Sequence, residues 1–89
     1  MFQVILLAPA AEALSAMSSS KERDLVKDAL SKLGDDPDSP APYTAKERRE
    51  GWEMYVGRWK AIYEIRRIEL VVYVHNIKEK PSLKFDYRY

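Results

Sequence analysis

A chain of 89 residues that is 46% hydrophobic and 33% charged suffices for one domain and argues against intrinsic disorder, although at this length only about 60 to 65% of the unfolded surface becomes buried. It contains no cysteine, which excludes a disulfide framework and a thiol nucleophile. Its lone histidine, His75, has no grouped carboxylates around it in sequence, so neither a metal site nor a cofactor is expected.

The net charge of +1 conceals a division. Residues 1–42 carry 4 basic and 7 acidic side chains, whereas residues 43–89 carry 11 basic and 7 acidic. This two-sidedness bears more on partners than the total does. The opening MFQVILLAPAA lacks a basic flank and its apolar run is only about seven residues, a poor match to a secretory leader. No stretch approaches the roughly 20 apolar residues that cross a bilayer, so a cytoplasmic protein is expected, with residues 1–89 forming a single domain.

Phe2 to Leu7 is a β-prone run, and Ala8-Pro9 follows, where proline stops strand pairing but suits a first helical turn. The segment AAEALSAM is rich in helix formers, with Ala10, Leu14 and Met17 on one face. Ser19 to Glu22 has the spacing of a capping box, which opens a second helix with an apolar stripe of Leu25, Val26, Ala29, Leu30 and Leu33. Gly34 is placed to end it as a left-handed C′ residue. GDDPDSPAP then reads as a surface loop, and TAKERREG as a brief helical or irregular stretch with exposed Lys46, Arg48 and Arg49.

From Trp52 the period changes to two. Trp52, Met54 and Val56 alternate before Gly57; Trp59, Ala61, Tyr63 and Ile65 share one face of the next strand, and Lys60, Ile62, Glu64 and Arg66 the other. At this spacing the aromatic residues Trp52, Trp59, Tyr63 and Tyr73 read as core, although aromatic faces can also hold unstacked nucleotides. After a turn near Arg67 and Ile68, ELVVYVH is nearly continuously apolar and reads as an interior strand. LKFDYRY is a candidate edge strand or ordered tail. The fold class expected is α+β, an N-terminal strand and a two-helix hairpin packed on a curved, mainly antiparallel sheet of four or five strands.

FQVILLAPAAEALSAM, GRWKAIYEI and ELVVYVHNIKEK, in that order, resemble the RelE/ParE superfamily of toxins from bacterial toxin-antitoxin systems, over most of residues 2–80. The resemblance implies a cognate antitoxin that wraps the toxin. It also implies a target: many members cleave messenger RNA in the ribosomal decoding site, whereas the ParE branch acts against DNA gyrase. The leading expectation is ribosome-dependent mRNA cleavage; the alternative is a gyrase inhibitor or a catalytically weakened interaction module.

RNA cleavage without a metal needs a base for the 2′-hydroxyl, positive charge for the phosphorane and a proton source for the leaving oxygen. By the resemblance, Lys60 occupies the basic position of the WKAIYEI strand and Lys78 approximately the basic exit of the next, with Lys80 on the same parity. Arg58 is a candidate for backbone contact. Glu53 and Tyr55 stand approximately where the ribosome-dependent branch often carries two basic residues; Glu53 resembles the carboxylate base of a related branch or else serves in pairing. His75 reads either as a hydrogen-bonded ring or as an acid-base group. Tyr87 and Tyr89 resemble the terminal tyrosine of RNA-cleaving relatives.

Overall fold

The computed structural model describes residues 1–80, and within them most of the apolar runs named above find a layer, although Leu70 of ELVVYVH lies in a turn, 51% exposed, and the strand begins only at Val71. β1 (Gln3–Leu6) leads directly into α1 (Ala8–Ala16), with Pro9 in the first turn where its missing amide costs no hydrogen bond. α2 (Ser20–Asp35) follows after a short break. Four strands then run in succession: β2 (Thr44–Arg48), β3 (Gly51–Val56), β4 (Trp59–Arg66) and β5 (Val71–Glu79).

The sheet order is β1-β5-β4-β3-β2. The last four strands pair antiparallel, as short hairpin connections require, while β1 pairs parallel with β5 after crossing back through the helices. β5 is therefore interior, which explains its almost unbroken apolar run. The expected α+β architecture, with five strands, is what the structure shows. No helix among the described residues is long and apolar enough to cross a membrane.

The core lies between the helices and one face of the sheet. Ala10 and Met17 from α1, and Val26, Ala29, Leu30 and Leu33 from α2, meet Met54, Val56, Ala61, Tyr63, Val72, Val74 and Ile77 from the strands. Leu33 is fully enclosed, so truncation to alanine should cost about 2–5 kcal/mol. Tyr63 is also enclosed, and its hydroxyl donates to the Pro37 carbonyl at 2.7 Å, fastening the loop after α2 to the centre of the sheet. Burial, together with the nearby Asp38 and Asp36, holds that phenol far above its ordinary pKa.

Four local expectations change. TAKER is a strand: its helix-forming residues are overridden by pairing with β3, where Lys46 falls opposite Glu53. Gly34 stays inside α2, which ends at Asp35 with Asp36 as its cap; its role is close approach, because a Cβ there would lie 3.1 Å from the Phe2 carbonyl oxygen. Its own carbonyl accepts from the Phe2 amide at 2.7 Å, tying α2 to the start of β1. Ser19 caps α2 by accepting from the Glu22 amide, but the Glu22 carboxylate reaches outward to Arg58 instead of back to the cap. Leu25 leaves the apolar stripe and is 43% exposed, at the margin of α2 beside the β3–β4 turn.

Candidate nucleic-acid interface

Because both helices cover one face of the sheet, alternate residues of β2 to β5 are left on the other. The register places Tyr55, Lys60 and Lys78 in one row across three strands, and Lys46, Glu53, Ile62 and Asn76 in the next. The β3–β4 hairpin that sets this register turns at Gly57, whose φ of +58° suits the tight two-residue turns that match strand twist. Lys46, Arg48, Lys60, Arg66 and Lys78 lie on this face against Glu53 and Glu64.

Glu53 organises the centre. Its Oε1 accepts from Tyr55 Oη at 2.8 Å and from Arg48 Nε at 3.2 Å, and Oε2 lies 3.6 Å from Lys60 Nζ. Arg48 Nη2 also donates to the Tyr55 hydroxyl at 2.7 Å. Gly51, opposite Arg48 in the register, holds a φ of +140° and lies so close to the Tyr63 carbonyl that a Cβ there would sit 3.1 Å from its oxygen. The hydrogen bond from Tyr55, that from Arg48 and the charge of Lys60 hold the Glu53 carboxyl below the usual carboxylate range. A carboxylate so stabilised is a weak proton acceptor at neutral pH and a good anchor for cations.

Lys60 and Lys78 are direct register partners on adjacent strands. Like charges facing each other across a ladder are destabilising. Lys60 is offset by Glu53, but Lys78 has no carboxylate partner among the described residues. Lys80 Nζ lies 5.5 Å from the Tyr55 ring centroid, which brings a further cation to the same row. An open cleft of about 600 Å³ runs along this region, bounded by the β2–β3 turn, Glu53, Lys60 and Ile62.

Arg58 is arranged differently. It donates twice to Glu22, at 2.6 and 2.8 Å, and once to Glu79 at 2.9 Å, and it covers the Trp59 ring at 5.4 Å. Its guanidinium is therefore occupied by two carboxylates and does not stand free to meet a phosphate backbone. The hydrogen bonds from Arg58 draw the Glu22 carboxyl below its ordinary pKa. The buried Trp59 indole N–H also points toward Glu22 but falls short of hydrogen-bonding geometry and has no partner.

His75 sits at a β-bulge. The pairing passes from Ile62↔Asn76 to Tyr63↔Val74, leaving His75 as the extra residue, exposed and 3.0 Å from Glu64 Oε1. Its hydrogen bond, followed by that of Arg66, lowers the Glu64 pKa. Tyr73, opposite Glu64, is half-buried on the uncovered face with Arg66 over its ring at 5.7 Å, whereas Trp52 stacks on Tyr63 on the covered side at 6.2 Å. Tyr87 and Tyr89 lie outside the described residues.

The structure thus brings together Glu53, Tyr55, Lys60, Lys78 and Lys80, and sets Arg58 and His75 apart from them. Arg48 was missed as a member of this group, since within TAKERREG it reads as one of several solvated charges. The signal that finds it is the strand parity imposed by β3, which no local pattern in TAKER displays.

Fold and site together define an α+β protein whose two helices cover one side of a five-stranded sheet and whose other side is bare and basic; this is the RelE fold. A chain of the archaeal RelE–RelB complex from Pyrococcus horikoshii superposes with a TM-score of 0.75 at 13% identity, covering 91% of this chain and 97% of that one. The RelBE2 toxin-antitoxin complex of Mycobacterium tuberculosis gives 0.69 at 18% identity, covering 89% and 98%. The isolated E. coli RelE toxin gives 0.68 at 14%, covering 94% and 89%. No family model and no curated protein matches the sequence.

Proposed function

We propose that this chain is the toxin of a toxin-antitoxin pair and blocks translation by cleaving messenger RNA on the ribosome. The observation that carries the reading is the opposed Lys60–Lys78 pair, a repulsive arrangement that a bound phosphodiester would relieve. In this reading Lys60 and Lys78 stabilise charge developing on the phosphorane, and Glu53 with Arg48 fixes the Lys60 ammonium in position. Tyr55, beneath Lys80, offers a ring edge to a neighbouring base. Tyr87 is the candidate proton donor for the leaving oxygen.

That the structural neighbours include a RelE–RelB complex and a RelBE2 toxin-antitoxin complex supports an antitoxin as partner. An apolar groove of about 560 Å³ beside β1, lined by Phe2, Val4, Leu14 and Leu30, offers a seat for an apolar segment of it. Primer extension on message incubated with ribosomes and purified protein tests the cleavage reading: new 5′ ends are expected, and intact message at saturating protein with binding confirmed would overturn it.

A second reading draws on Glu53, which neutralises part of the charge a nuclease needs. The chain would then act as a gyrase inhibitor or a binding module. A fall in gyrase supercoiling rate on addition of protein would favour the gyrase version, and an unchanged rate would remove it.

A further inference from the structure

The turn between β2 and β3 consists of Arg49 and Glu50, flanked by the register pair Arg48↔Gly51. Both side chains are exposed, both border the cleft that contains Lys60, and neither makes an ion pair or side-chain hydrogen bond among the described residues. Their neighbours Arg48 and Glu53, by contrast, are bound to each other. A guanidinium and a carboxylate side by side, unpaired and facing one cavity, form a ready donor fork and acceptor fork.

The rest of the cleft suits a flat ring. Half-buried Ile62 supplies an apolar surface, and Gly51 borders it. A volume of about 600 Å³ falls in the range of small-molecule sites.

We propose that this cleft is a guanine-selective subsite, with Glu50 accepting from the base's N1–H and N2–H groups and Arg49 donating to O6 and N7. Among the four RNA bases, guanine alone presents adjacent donors on one edge and two acceptors on the other, and the Arg pairing is a common base-specific contact. Adenine would turn its N1 lone pair on the carboxylate, uracil its carbonyl oxygens, and cytosine its N3. The subsite rests on the reading that Lys60 holds an RNA phosphate, because the same cleft then receives a base attached to that phosphate.

The test uses the four 5′-nucleoside monophosphates without ribosomes, followed by the backbone amide NMR signals of Gly51 and Ile62. GMP should shift both and bind about tenfold or more tighter than AMP, CMP or UMP, the size of one good bidentate contact. Glu50→Gln, on an exposed turn, should erase the preference while leaving the remaining spectrum in place, and Arg49→Ala should weaken GMP several-fold. Equal affinity for all four nucleotides, or no shift at Gly51 and Ile62, would overturn the subsite. Guanine-selective shifts with message left uncut would preserve the subsite and remove the cleavage reading; cleavage without guanine preference in either assay would do the reverse.

Discussion

Arg58 and Glu53 sit at the centres of two ionic clusters with opposite stoichiometry. At the β3–β4 turn one guanidinium is shared by two carboxylates, Glu22 and Glu79; on the uncovered face one carboxylate is shared by two cations, Arg48 and Lys60. The first cluster uses up its positive charge and joins α2, the hairpin and the end of β5. The second uses up its negative charge and leaves cationic surplus facing solvent. Lone cations in a sequence look alike, but the partner ratio decides which can receive an anion.

The largest expected effect separates the clusters by activity. Lys60→Ala should reduce ribosome-dependent cleavage on the order of a hundredfold, as loss of a charge-stabilising donor does, with the denaturation midpoint almost unchanged. Comparable losses of cleavage and folding would assign Lys60 a structural task instead. Glu53→Gln should lower cleavage roughly tenfold by loosening Lys60, while tightening binding to unstructured RNA in a filter assay because a negative charge is gone. Unaltered cleavage would sink the anchoring role.

Arg58→Ala should show the converse pattern, a lowered Tm with cleavage per folded molecule retained. If cleavage collapses while Tm holds, Arg58 belongs with the RNA-contacting group and the contrast between the clusters fails. The smallest effect is in pH. With its folded pKa depressed by Tyr55, Arg48 and Lys60, Glu53 contributes stability that is full above its ordinary value of 4.5 and is lost as pH falls through the lower folded value. In urea titrations the gap between the native protein and Glu53→Gln should be constant near neutrality and close only in acid; a gap that closes on raising the pH would contradict the sign.

Much of this arrangement was legible in the sequence because it is local. The alternation of WKAIYEI already sorts Lys60 from Ala61 and Tyr63, Gly57 marks a hairpin, and Ser19 marks a helix start. What escaped depends on residues far apart in the chain. TAKER becomes a strand only because β3 lies beside it, Glu22 leaves its cap only because Arg58 is 36 residues away in sequence but adjacent in space, and Gly34 is chosen by the backbone of Phe2. The bulge at His75 was equally invisible, since an unpaired residue is defined by the partner strand and not by its own neighbours. From the sequence, Lys60, Lys78 and Lys80 can bracket a phosphate only if their strands adjoin, and the register that decides this is not a local property.

The place of β5 carries a consequence for synthesis. It is the last of the described strands to be made, yet it stands between β1 and β4 and contributes Val72, Val74 and Ile77 to the core. Until it emerges, β1 has no hydrogen-bonded neighbour and Lys60 has no opposing lysine. Gln3 must wait for Val71, so closing the sheet is a long-range and comparatively slow event. A nascent chain can form its helices and first hairpins while still lacking the opposed lysines of its uncovered face. Under the proposed reading, the face that would meet RNA is completed only when the last of the described strands is in place.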